Sequence, residues 1–128
     1  MSSRDPFEIL VVEDEWMLAY DLAEQIGEAG YAVVGPAPSV GKALDLIASQ
    51  RVDAGLLDLN LGGETSYPVA DALSKKGIPF AFLTGYTARE LRSGFRDCLL
   101  LSKPVSTGKL AALLQDLTAR LSARRGDG

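Results

Sequence analysis

Five short apolar runs at regular intervals, separated by segments with helical spacing, constrain this chain most. The runs are Glu8–Val12 (EILVV), Ala32–Gly35 (AVVG), Ala54–Leu57 (AGLL), Phe80–Leu83 (FAFL) and Leu99–Leu101 (LLL). Runs so short and so nearly unbroken suit strands buried on both faces of a parallel sheet. Between them, Leu18, Leu22, Ile26 and Ala29 recur at three or four residues ahead of Gly30, which suits a helix stop. Val40, Ala43, Leu44 and Ile47 follow Ser39, a good N-cap. Val69, Ala70, Ala72 and Leu73 precede Gly77, and Leu110, Leu113, Leu114, Leu117 and Leu121 form a last stripe from about Thr107. This alternation predicts an α/β fold: a doubly wound, five-stranded parallel sheet with helices on both faces. Thr87–Phe95 breaks the pattern, with only Leu91 and Phe95 as its stripe, and is expected to be a short or mobile helix. One domain over residues 1–128 is expected, with its core at about 7–121 and flexible ends at 1–5 and 123–128.

Composition removes several chemistries. The chain has no histidine and one cysteine, Cys98. A zinc centre, a disulfide framework and a Ser-His-Asp triad therefore lack their parts. No apolar run approaches the roughly 18 residues of a membrane span, and the N-terminus MSSRDPF is no signal peptide. A cytoplasmic protein is expected, working with carboxylates, hydroxyls and lysines. Residues 1–64 hold twelve acids and three bases, whereas residues 65–128 hold five acids and ten bases. That is a poor nucleic-acid binder. The asymmetry reads either as ordinary surface charge or as a cation site in the first half and a partner face in the second.

In an open parallel sheet, ligands sit at the carboxyl ends of the strands. The residues leaving the runs are Glu13-Asp14-Glu15, Asp58-Leu59-Asn60, Thr84-Gly85 and Ser102-Lys103-Pro104. Carboxylates brought together there repel one another, and a divalent cation relieves that conflict. Magnesium takes one or two carboxylates and keeps several waters. Asp14, Asp58 and the Asn60 backbone carbonyl are the candidate direct ligands, with Glu13 acting through water. Asp58 is then a held carboxylate nucleophile. Lys103 and Thr84, with Gly85 beside it, are placed to meet phosphoryl oxygens. Taken singly, each feature has a plainer reading: an acidic helix start, a turn aspartate, a strand threonine, a solvated Lys-Pro turn. Their order, each at the end of its own strand, makes the joint signal specific.

With ILVVEDE, LLDLNLGG, FLTGY and LLLSKP in place, the chain resembles a two-component response-regulator receiver over about residues 7–121. The resemblance implies the flavodoxin-like strand order 2-1-3-4-5. It makes Asp58 the phosphoacceptor, Glu13 and Asp14 the acid pair, Thr84 the hydroxyl and Lys103 the lysine. It also implies a cis Lys103–Pro104 bond and a phosphohistidine donor on a sensor histidine kinase. PFAFLTGY and Asn60-Leu61-Gly62-Gly63 are similar to the FAT GUY receivers, often linked to HWE-type kinases. The expected role is a phosphorelay switch acting on a downstream protein, with no attached output domain. It is expected to catalyse its own phosphotransfer and dephosphorylation rather than to be a multi-turnover enzyme.

Two departures stand out. The aromatic that such receivers carry three residues before the lysine is Leu100 here. Tyr86 can substitute for it as the switch aromatic or can simply pack the loop. The segment after the fourth run is also short and weakly amphipathic. Two other readings compete. A haloacid-dehalogenase-type phosphatase needs a second aspartate where Asn60 stands. A pseudo-receiver would bind partners without phosphorylation, against the complete set Asp14, Asp58, Thr84 and Lys103.

Overall fold

The computed structural model describes residues 6–85, 95, 98–103 and 105–125, with side chains up to residue 121. Five strands form one parallel sheet: β1 (Glu8–Val12), β2 (Ala32–Ala37), β3 (Ala54–Asp58), β4 (Phe80–Thr84) and β5 (Leu99–Ser102), in the order β2-β1-β3-β4-β5. Four helices are described: α1 (Trp16–Glu28), α2 (Val40–Ser49), α3 (Tyr67–Lys75) and α4 (Thr107–Arg125). The doubly wound α/β fold and its strand order are as expected, and each strand begins where its apolar run begins.

Alternation along β1 builds the two cores. Leu10 and Val12 join Leu57, Phe82 and the buried faces of α2 and α3 on one side of the sheet. Ile9 and Val11 join Leu56, Leu83 and the buried faces of α1 and α4 on the other. Because both faces are covered, the central strand β3 is buried along its whole length. Leu110, Leu113, Leu114 and Leu117 seat α4, each contributing about 2 kcal/mol by leaving water.

Helix boundaries follow local chemistry. Ser39 Oγ accepts a hydrogen bond from the Lys42 N–H at 3.2 Å and caps α2. Gly30, at φ 99°, ends the turn behind α1 as its position suggested. Two stripes differ from expectation. In α2, Leu46 is buried with Ala43 and Ile47, while Leu44 is exposed. In α1, Ala19 is buried with Leu22 and Ile26, while Leu18 is half-buried and Ala29 exposed. In both helices the buried face is turned slightly from the expected stripe but still carries its large apolar residues, Leu22 and Ile26 in α1 and Leu46 and Ile47 in α2.

The expected helix over 87–95 lies outside the described residues except for Phe95. Phe95 is buried and stacks on Tyr67 at a centroid distance of 5.0 Å. It also meets Phe82 edge-on at 5.7 Å. Tyr86 and Pro104, and with Pro104 the geometry of its bond to Lys103, likewise lie outside the described residues.

Candidate functional site

The parallel winding brings the ends of β1, β3, β4 and β5 to one edge, and three carboxylates meet there. Oxygens of Glu13, Asp14 and Asp58 lie within 4.8 Å of one another. Glu13 and Asp58 are buried and Asp14 is exposed, so the cluster has a closed floor and an open rim. Glu13 is the first residue past β1, where its N–H donates to Ala37 O at 3.0 Å. Its Oε2 accepts from the Glu15 N–H at 3.1 Å, while Oε1 accepts no hydrogen bond.

Lys103, just past β5, reaches across the edge. Its Nζ lies 3.1 Å from Asp58 Oδ2 and 3.5 Å from Glu13 Oε1. The main chain anchors it, because the Lys103 N–H donates to Thr84 O at 3.0 Å. Thr84 is the buried last residue of β4, paired with Ser102. Gly85 follows, exposed, with open space where a Cβ would stand.

Asp58 closes β3 and is held from two sides. Its Oδ1 accepts from the Asn60 N–H at 3.3 Å, and its Oδ2 faces Lys103. The loop beyond is tightened by an antiparallel bridge between Asn60 and Thr65 and by reciprocal main-chain bonds between Leu61 and Glu64. Gly62 adopts φ 56°, and a Cβ there would stand 3.1 Å from Asp14 Oδ2. This is the left-handed region that glycine tolerates best, so the loop backbone closes over the rim at that residue.

The electrostatics reflect an excess of anions. Burial, opposed by the Glu15 N–H and reinforced by Asp58, pushes the Glu13 carboxyl up to about 7. Burial works against the Lys103 ammonium, but its hydrogen bond and attraction to Asp58, with Glu13 adding to them, outweigh this and raise its pKa. One ammonium among three carboxylates leaves negative charge to be balanced. The donors are hard oxygens and one buried oxygen accepts no hydrogen bond, so the residues fit a magnesium ion.

Every expected site residue among those described lies at this edge or in the loops leading from it: Glu13, Asp14, Asp58, Asn60, Thr84, Gly85 and Lys103. Two features were not read from the sequence. One is the Glu13–Lys103 pair, which bridges strands that are not neighbours. The other is the approach of Gly62 to Asp14, for which the Gly62-Gly63 pair was the available signal.

Residues 9–115 match the family described as the response regulator receiver domain. The chain is similar to SdrG from Sphingomonas melonis Fr1, whose solution structure is 39% identical with a TM-score of 0.77, covering 92% of this chain and 99% of that one. A solution structure of the BeF3-activated conformation of SdrG, from Pseudomonas melonis Fr1, is 38% identical with a TM-score of 0.74, covering 88% and 96%. The phyllosphere-induced regulator PhyR of Methylorubrum extorquens is 34% identical over 125 residues, which are 92% of this chain and 46% of PhyR. The chain spans about half the length of the curated relatives it matches.

Proposed function

The chain belongs to the response-regulator receiver domain family, and from that premise we propose that Asp58 accepts a phosphoryl group from a sensor histidine kinase in a magnesium-dependent relay. The observation that carries this reading is the Asp58 carboxylate itself: buried, fixed by Asn60 at one oxygen and by Lys103 at the other, inside a cluster of three acids. The phosphoryl donor would be a phosphohistidine, on a kinase of the HWE class by the resemblance of PFAFLTGY to the FAT GUY receivers.

In the step proposed, an Asp58 carboxylate oxygen attacks phosphorus. An O–P bond forms, the P–N bond to the donor imidazole breaks, and the imidazole leaves with the bonding pair and takes up a proton. Magnesium held by Asp14, Asp58 and the Asn60 carbonyl, with Glu13 through water, would supply positive charge against the phosphoryl oxygens. Lys103 then moves from neutralising Asp58 to neutralising the new phosphoryl group, a preorganised cation aimed at developing charge. Thr84, with Gly85 leaving open space beside it, would offer its hydroxyl to a phosphoryl oxygen. The product is an acyl phosphate on the protein itself. The chain is therefore a stoichiometric acceptor that speeds its own phosphorylation and dephosphorylation and then acts on a downstream protein. A cytoplasmic setting accords with this role; among the described residues no helix is long and apolar enough to cross a membrane.

Beryllofluoride with magnesium tests the reading, since the solution structure of activated SdrG bears that group. Backbone resonances of Thr84, Gly85 and Lys103 should shift in the wild type and stay still in Asp58→Asn. Equal shifts in both proteins would place the anion elsewhere and refute the assignment.

A further inference from the structure

The loop that leaves β3 is a small hairpin in its own right. Asn60 and Thr65 bridge its two arms, and Leu61 and Glu64 exchange main-chain hydrogen bonds of 2.8 and 3.4 Å across its tip. Gly62 and Gly63 form that tip, at φ 56° and 100°. Two successive left-handed residues are what a two-residue hairpin turn of this hand requires, and glycine meets the need at little cost. The root of the hairpin is fixed from below. Leu61 is buried in the core, and the Ser66 N–H donates to Leu59 O at 3.0 Å. The tip is exposed and lies over Asp14, where a Cβ on Gly62 would come within 3.1 Å of Oδ2.

One side chain ties the outer arm to the rest of the molecule. Glu64 Oε2 accepts the Val40 N–H at 3.3 Å, across 24 residues of sequence. Val40 is the first residue of α2, and Ser39 Oγ takes the Lys42 N–H two residues further on. An N-cap side chain serves the second or third helical N–H and leaves the first to another acceptor. Glu64 is that acceptor, and it sets a carboxylate at the positive end of the α2 dipole. The hairpin is thus pinned by Leu61 from below and by Glu64 from the side, with its tip held over the acid cluster.

We propose that Glu64 is a positioning residue for the cation site: its bond to α2 clamps the hairpin closed and so sets the Asn60 carbonyl and the Gly62 backbone around magnesium. The inference rests on the reading that Glu13, Asp14 and Asp58 hold that ion. Glu64 acts through the hairpin and not as a ligand, because its carboxylate is engaged with α2 and is not among the three that converge. A site that must be closed before it binds loses affinity in proportion to the fraction of molecules that are closed. Without the clamp, an exposed charge-assisted bond, that fraction should fall to roughly a fifth.

Two measurements test the clamp: isothermal titration with magnesium chloride at fixed ionic strength, and heteronuclear NOEs of the Gly62 and Gly63 amides in the metal-free protein. Glu64→Ala should bind magnesium about fivefold more weakly than the wild type, with lower NOEs at both glycines. Glu64→Gln keeps an acceptor and loses the charge, and should bind within about twofold of the wild type. Val40→Pro removes the donor instead. Proline suits the first residue of a helix, and Ser39 before it is already extended, at φ −147° and ψ 164°. This variant should reproduce Glu64→Ala, and the double variant should be no weaker than either single one. Circular dichroism checks that each variant folds; if Val40→Pro does not, the two variants at the exposed Glu64 decide alone. Wild-type affinity or unchanged NOEs in Glu64→Ala would overturn the clamp. So would an equal loss in Glu64→Gln and Glu64→Ala, which would mark a simple effect of charge, or additive losses in the double variant. A wild type that binds no magnesium would refute the reading of the acid cluster and the clamp with it, whereas a wild type that binds it while Glu64→Ala is unaffected refutes the clamp alone.

Discussion

Replacing Glu13 by glutamine should stabilise the metal-free protein at pH 8 and not at pH 4. Glutamine keeps the shape and the acceptor for the Glu15 N–H, and removes the charge. In the folded chain the Glu13 carboxyl titrates at about 7, against an ordinary value of 4.5, because burial disfavours its anion. A folded pKa above the unfolded one means that the native state holds the proton more tightly. Its stabilising contribution is full below about 4.5 and is lost as pH rises through about 7. The difference corresponds to about 3 kcal/mol at pH 8, taken as an upper figure. That figure already includes the opposing attraction to Lys103, whose Nζ stands 3.5 Å away. Glu13→Gln should thus gain about 2–3 kcal/mol at pH 8, roughly 10 °C in Tm for a domain of this size. Calorimetry in chelator at both pH values measures it. Adding magnesium should shrink the gain, because the cation stabilises the wild-type anion. A variant that is destabilised at pH 8, or equally stabilised at both pH values, would refute the placement of Glu13 as a buried anion in excess.

Other expectations follow from single contacts. Lys103→Ala should keep the fold and slow phosphorylation of Asp58 by acetyl phosphate about tenfold or more, followed by intact mass over time; a wild-type rate would remove the lysine from the step. Gly55→Ala drives a Cβ to 2.9 Å from Leu73 Cδ1 between β3 and α3, and should cost about 2 kcal/mol in denaturant unfolding. Trp16, beside Asp14 in one groove, should change its fluorescence on magnesium titration. Asp14→Ala should abolish that change, and a preserved response would move the cation away from the end of β1.

What the sequence made legible has a physical pattern. Strand starts and the site were readable because each depends on order along the chain: an apolar run, then the residue that leaves it. Asp58 and Thr84 close β3 and β4, and Asp14 and Lys103 stand just past β1 and β5. Helix faces were less readable where apolar residues crowd. Leu44 and Leu46 offer competing stripes in α2, and only contact with the sheet selects Leu46. Contacts between distant elements were not readable at all. Lys103 reaches Glu13 although β3 and β4 separate their strands. The bond from the Val40 N–H to Glu64 joins α2 to the loop after β3. The stack of Tyr67 on Phe95 joins α3 to a residue that follows β4 in sequence, in the same core against which Leu100 is partly buried.

Intact-mass spectrometry after incubation with acetyl phosphate tests the central claim most directly, with magnesium present or chelated, on the wild type and Asp58→Asn. The account predicts one phosphoryl group per chain in the wild type with magnesium, and none in the chelated sample or in Asp58→Asn. A phosphoryl group that survives in Asp58→Asn, or forms as fast in excess chelator, would contradict it.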